Sequence, residues 1–116
     1  MTEAYRRGDI VLTVLSGDYG KPRPALLIQS DLFNETHASL VLCPISSEIT
    51  GLTVFRLHLP ASEATGLRVE SEVMIDKMVA AKRERIRRRI GHAQPEQLAA
   101  VDRALRLWLS LGEAGW

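Results

Sequence analysis

Gly20-Lys21-Pro22-Arg23-Pro24-Ala25-Leu26-Leu27-Ile28-Gln29 passes from loop to strand within a few residues. Prolines on both sides of Arg23 restrict the backbone there. Pro24 has no N–H to give a ladder, so it belongs at a strand's start or on an edge. Ala25 to Gln29 is a short apolar run bounded by turn residues, which marks a buried strand. Upstream, Asp9-Ile10-Val11-Leu12-Thr13-Val14-Leu15 is β-branched and apolar and reads as a first buried strand. Ser16 to Pro22, between the two, is a turn-rich loop.

Downstream, Asp31 to Thr36 reads as a turn or short helix and Ser39 to Ile45 as a third strand. Val54 to Leu59 alternates, with Phe55, Leu57 and Leu59 on one face and Arg56 and His58 pointing out; Pro60 ends it. Ala61 to Thr65 suits one helical turn, stopped by Gly66. Ser71 to Asp76 predicts a fifth strand, and Arg85 to Ile90 a short, charged sixth. Pro95 starts a helix at its first position, with Glu96 favourable to the dipole. Leu98, Val101, Leu105, Trp108 and Leu109 recur at three- and four-residue steps, Asp102, Arg103 and Arg106 fall opposite, and Gly112 ends the helix. Five to six short strands with one C-terminal helix predict a mainly β fold with α, a small barrel.

The 116 residues predict one domain spanning 1–116, able to bury a core without staples. Aromatics are only 5%, so that core must be aliphatic. Fifteen Lys and Arg against fourteen Asp and Glu leave +1, so net charge points to no partner. Locally, Lys82, Arg83, Arg85, Arg87, Arg88 and Arg89 crowd six bases into eight residues. That run is either a footprint for nucleic acid or a solvated face. Cys43, the one cysteine, excludes an internal disulfide, and its apolar run suggests a small hydrophobe. His37, His58 and His92 lack ligand spacing, so no metal and no cofactor are expected. The N-terminal residues show no signal-peptide core and no apolar run approaches membrane-spanning length; a cytoplasmic chain without a membrane partner is expected.

Arg7-Gly8-Asp9-Ile10-Val11, followed by Gly20 to Asp31, resembles the opening of the MazF/PemK family of type II toxin–antitoxin endoribonuclease toxins. The likeness continues through Cys43-Pro44-Ile45-Ser46-Ser47, Glu72-Val73-Met74-Ile75-Asp76-Lys77 and the final helix, covering nearly the whole chain. The resemblance implies an SH3-like barrel, a homodimer, and metal-independent, sequence-specific cleavage of single-stranded RNA. It also implies a cognate antitoxin whose disordered tail occupies the RNA groove, and DNA binding by the toxin–antitoxin complex.

Such cleavage attacks the adjacent phosphorus with the 2′-hydroxyl, so the transition state needs charge stabilisation and proton transfer. By resemblance, Arg23 matches the family's phosphate-binding arginine, and a guanidinium fork suits phosphate oxygens. Ser46 matches a strand-end threonine whose hydroxyl bonds the phosphate; it reads equally as a turn-capping serine, and Ser47 is an alternative for the role. Asp76 matches a carboxylate proposed as general base in some members, which requires a raised pKa; tying a turn is its structural alternative. Those members carry an arginine where this chain has Met74. Tyr19 could stack on a base, and Lys21 and Lys77 could contact RNA phosphates. Two other readings follow from the same barrel. One is a CcdB-like gyrase inhibitor, suggested by the tail Glu113-Ala114-Gly115-Trp116; the other is an RNA-binding barrel without activity, suggested by Met74.

Overall fold

Neighbouring residues on the inner strands bury on opposite faces, and this alternation organises the computed structural model, which describes residues 4–112. The centre of an antiparallel sheet is β1 (Asp9–Val14), β2 (Pro22–Leu27) and β3 (Ser39–Ser46). Ile10, Leu26, Cys43 and Ile45 join Val73, Ile75 and Val101 in one core. Val11, Ala25, Leu27 and Leu42 join Leu40, Ala81 and Ile86 in a second. Strands covered on both faces need apolar residues at every position, which is why these segments read as unbroken runs.

Four more strands complete the sheet: β4 (Arg56–Leu59), β5 (Ser71–Met74), β6 (Val79–Lys82) and β7 (Ile86–His92). The order is β4-β5-β3-β2-β1-β7, with β6 also paired to β3. β5 meets β3 at Ile45 and Ser46, and β6 meets it from Ser39 to Leu42. Between them a 3-10 turn, Ile75–Lys77, bends the chain. The sheet curls as a barrel does but stays open, since β4 and β7 end it without pairing to each other among the described residues.

Seven strands replace the expected five to six. The addition is β6, where only Ala81 is buried, so its sequence carries no apolar period. Asp76 lies in the 3-10 turn, not in a fifth strand, and Val54 and Phe55 precede β4. Pro22 and Pro24 occupy the part of β2 paired with β1 alone, the edge position proline tolerates.

Helix α1 (Pro95–Leu109) begins with a reciprocal cap in which the Gln94 N–H donates to Gln97 Oε1 at 2.7 Å. Leu98, Val101, Ala104 and Leu105 pack on the first core, and Trp108 meets Phe55 at 5.3 Å between ring centroids. Ser110, in the left-handed conformation, closes the helix two residues before Gly112. Asp102, predicted on the polar side, bonds Arg7 Nη2 at 2.7 Å.

Candidate functional site

Arg23 enters from the edge of β2, opposite Thr13. Its Nε lies 3.4 Å from Asp18 Oδ2, and its side chain makes no hydrogen bond to another described residue. Asp18 belongs to the β1–β2 loop, where its N–H donates to the Leu15 carbonyl and its carbonyl accepts from the Lys21 N–H. Asp18 Oδ2 is buried and accepts no hydrogen bond, so its partner is the Arg23 charge. Sequence reading passed over Asp18, because a lone Asp between glycines is ordinary turn chemistry.

Arg23 stands between two cavities. The larger, about 610 Å³, has a floor set by Pro24, Leu12 and Arg88, which lie level across β2, β1 and β7. Ser46 and Ser47 line it from the end of β3, and Arg68 from the segment after Gly66. No carboxylate lines this groove among the described residues. The smaller cavity, about 340 Å³, places Asp18, Met74 and Lys77 beside Arg23.

Ser46 faces the groove and also caps a turn, its Oγ accepting from the Glu48 N–H at 3.1 Å. The following loop is fastened by Glu72, which pairs in register with Ser46. The buried Glu72 carboxylate accepts from Thr50 N at 3.1 Å, Thr50 Oγ1 at 2.9 Å and Gly51 N at 3.0 Å. Burial pushes its pKa up, but these donors and the Arg56 charge outweigh burial and hold it below the ordinary carboxylate range. Glu72 therefore positions the groove rim from beneath.

Asp76 is engaged elsewhere. Arg56 grips it with two bonds, Nε to Oδ1 at 2.7 Å and Nη2 to Oδ2 at 2.9 Å, with side chains 16% and 14% exposed. Those Arg56 bonds pull the Asp76 carboxyl below its ordinary value against the opposing effect of burial. A general base at neutral pH needs the opposite shift; in this structure the Asp76 carboxylate ties the 3-10 turn to β4 through Arg56, the structural alternative the sequence also offered. Tyr19 is 97% exposed at the loop tip with a φ of +54°, and neither it nor Lys21 lines either cavity. The fold thus gathers Arg23, Ser46, Ser47 and Lys77, and leaves Asp76, Tyr19 and Lys21 outside.

Two arginines of the basic run are held by internal bonds, and the others lie at the surface. Arg83 Nη2 donates to the carbonyls of Asn34 and His37. Arg89 bonds the buried Asp9, which also accepts from His92 Nδ1 at 2.8 Å. Lys82, Arg85 and Arg87 are exposed, while Arg88 faces the groove. Cys43 is fully buried, and burial pushes its thiol up to about 12, so it is an inert core residue. Among the described residues no cluster of His, Cys, Asp and Glu suits a metal, and no helix is long and apolar enough to cross a membrane. The tail Glu113-Ala114-Gly115-Trp116 lies outside the described residues.

A curled antiparallel sheet carrying a groove lined by arginines and, among the described residues, by no carboxylate defines a small β-rich protein with an electropositive cleft. A family model described as PemK-like, MazF-like toxin of type II toxin-antitoxin system matches residues 6–109. The chain is 37% identical over 107 residues to the probable endoribonuclease MazF of Mycolicibacterium smegmatis, covering 91% of this chain and 97% of that one. It is 25% identical over 115 residues to endoribonuclease EndoA of Bacillus subtilis, covering 91% and 95%. A solved MazE-MazF structure from Deinococcus radiodurans superposes with a TM-score of 0.76 at 25% identity, covering 93% and 98%. An endoribonuclease in complex with its cognate antitoxin from a mycobacterial species superposes with a TM-score of 0.78 at 16% identity, covering 97% and 99%, a likeness of fold. The chain belongs to the PemK-like, MazF-like toxins of type II toxin-antitoxin systems.

Proposed function

We propose that this chain, an endoribonuclease of the MazF-like toxin family, cleaves single-stranded RNA in the groove beside Arg23 without a metal. The observation that carries the reading is the meeting of Arg23, Ser46 and Ser47 in one groove that no carboxylate lines among the described residues. Arg23 holds the non-bridging oxygens of the scissile phosphate with its two Nη groups, while Asp18 steadies Nε. The 2′-hydroxyl gives its proton to solvent water as its oxygen bonds to phosphorus, and the 5′-oxygen takes a proton from water as its bond to phosphorus breaks, yielding a 2′,3′-cyclic phosphate and a 5′-hydroxyl. Charge accumulates on the pentacovalent phosphorus, and a preorganised guanidinium is worth most at that moment. The Ser46 hydroxyl donates to a phosphate oxygen while its oxygen keeps the turn bond from Glu48. Lys77 extends positive charge into the smaller cavity.

The same groove receives an acidic segment of a cognate antitoxin, which folds on binding and competes with RNA for Arg23 and Lys77. Two of the solved structures that superpose on this chain pair toxin with antitoxin, which supports this partner. Two copies of the chain form the working unit in the cytoplasm, supported by apolar surface left bare on the last turn of α1 and the β3–β4 loop (Leu107, Leu109, Leu52 and Val54). The deciding experiment incubates purified protein with a long single-stranded RNA and maps the ends formed. Cleavage in EDTA with 5′-hydroxyl and cyclic phosphate ends is expected; 5′-phosphate ends, or loss of cleavage in EDTA, would overturn the mechanism.

A further inference from the structure

We propose that Arg68 and Arg88 form a second phosphate clamp, which grips the same RNA strand at a phosphate neighbouring the one at Arg23. The proposal rests on the reading of the groove as the RNA site. Arg7, Arg23, Arg56 and Arg89 each have a carboxylate partner, namely Asp102, Asp18, Asp76 and Asp9. The side chains of Arg68 and Arg88 have no hydrogen-bond or ion-pair partner among the described residues, and both residues line the groove. Two bare guanidiniums repel each other and gain only when an anion sits between them. The acid-free lining leaves that anion to a ligand.

Their proximity is built into the backbone. Gly66, two residues before Arg68, presses on Ile90, two residues after Arg88. A Cβ at Gly66 would lie 2.0 Å from the Ile90 carbonyl oxygen, and one at Gly91 would lie 2.1 Å from that of Thr65. Gly66 also holds a φ of +72°. Two glycines therefore let the Arg68 segment lie against β7.

The clamp is separate from Arg23. Arg88 pairs with Leu12, and Leu12 with Pro24, so two interstrand spacings, about 10 Å, divide the Arg88 backbone from that of Pro24. Arg23 is tethered by Asp18 on the far side. One phosphate at Arg23 and another at Arg68 and Arg88 suit successive positions on an extended strand, whose phosphates provide most of the affinity. Arg87, adjacent on β7, is exposed like Arg68 and Arg88 but does not line the groove, which makes it the internal control.

The test measures binding of a random-sequence pool of short 2′-deoxy oligonucleotides, which lack the attacking hydroxyl, across a salt series. Arg68→Gln and Arg88→Gln should each weaken affinity several-fold at low salt and flatten the log–log salt slope by about 0.7, the single-strand value for one phosphate contact. Arg87→Gln should change neither quantity. On cleavable RNA both groove variants should raise KM and keep kcat within about twofold, since they act away from the reacting phosphate. Equal effects at Arg87 and Arg88, or an unchanged slope in both groove variants, would overturn the clamp. A wild-type protein that cleaves RNA while both variants bind like it defeats the clamp alone. A wild-type protein that neither binds the pool nor cleaves RNA defeats the clamp together with the RNA reading.

Discussion

Arg23 and Asp76 look equally polar in the sequence, and their surroundings assign them opposite duties. Arg23 has one ion-pair neighbour and two cavities beside it, so it can be lost without collapsing the core. Arg23→Ala should retain the fold and slow RNA cleavage by about a hundredfold or more, as removal of one charge-stabilising donor does. Arg23→Lys should restore little, because one ammonium cannot reproduce the fork; single-turnover kinetics with a melting curve checks both. Asp76→Asn should instead cost stability, on the order of 1–3 kcal/mol by denaturant titration, because it breaks a doubly bonded, mostly buried pair with Arg56. Its pH dependence has a definite sign. The Arg56 bonds hold the folded Asp76 below its unfolded value of about 3.9. Its contribution is therefore complete above about pH 4 and is lost as pH falls through the lower folded value. Asp9 and Glu72 are lowered as well, so their contributions vanish in the same direction. Thermal stability should hold from neutral pH to about pH 4 and fall below it, with Asp76→Asn showing a smaller acid loss than the wild type. An equal acid loss in both proteins would count against this account.

At the scale of elements, the groove depends on two pieces of chain that make no chemistry. One is the seam between Gly66 and Ile90, and the other is the loop held by Glu72. Gly66→Ala should destabilise by about 2–4 kcal/mol, since a Cβ meets backbone and the φ is positive. Gly17→Ala, also at positive φ but with open space around it, should cost only about 1 kcal/mol. Comparable losses in urea titrations of the two variants would refute the seam. The long elements were legible: the runs at 9–15 and 39–45 and the stripe of α1 carry clear periods. β6 was not, because a strand with one buried alanine has no apolar signature. The turn at Ile75–Lys77 was hidden for a related reason. Pairing of both β5 and β6 to a single edge of β3 bends the chain there, a demand made by the partner strand.

For the whole molecule, bare apolar side chains and a groove open to solvent point to assembly. Static light scattering at micromolar concentration should give about twice the 12.9 kDa chain mass, and a 12.9 kDa species that still cleaves RNA would defeat the dimer. Leu107→Glu should shift the population toward the single-chain mass if the last turn of α1 is buried between copies. By itself the sequence determined the mainly β class and the C-terminal helix with Pro95 at its first position, and it put Arg23 forward as the first candidate residue. Those features rest on local causes: hydrophobic period, proline geometry and a motif contained within a dozen residues. Only the tertiary structure decided that Asp76 belongs to Arg56, that Asp18 lies against Arg23, and that Arg88 of the basic run lines the same groove as the distant Arg68. Asp76 meets Arg56 from a turn, Asp18 meets Arg23 from the preceding loop, and the close passage of Gly66 and Gly91 brings two distant segments to one groove. Charge pairing depends on distance in space, which residue spacing along the chain does not specify.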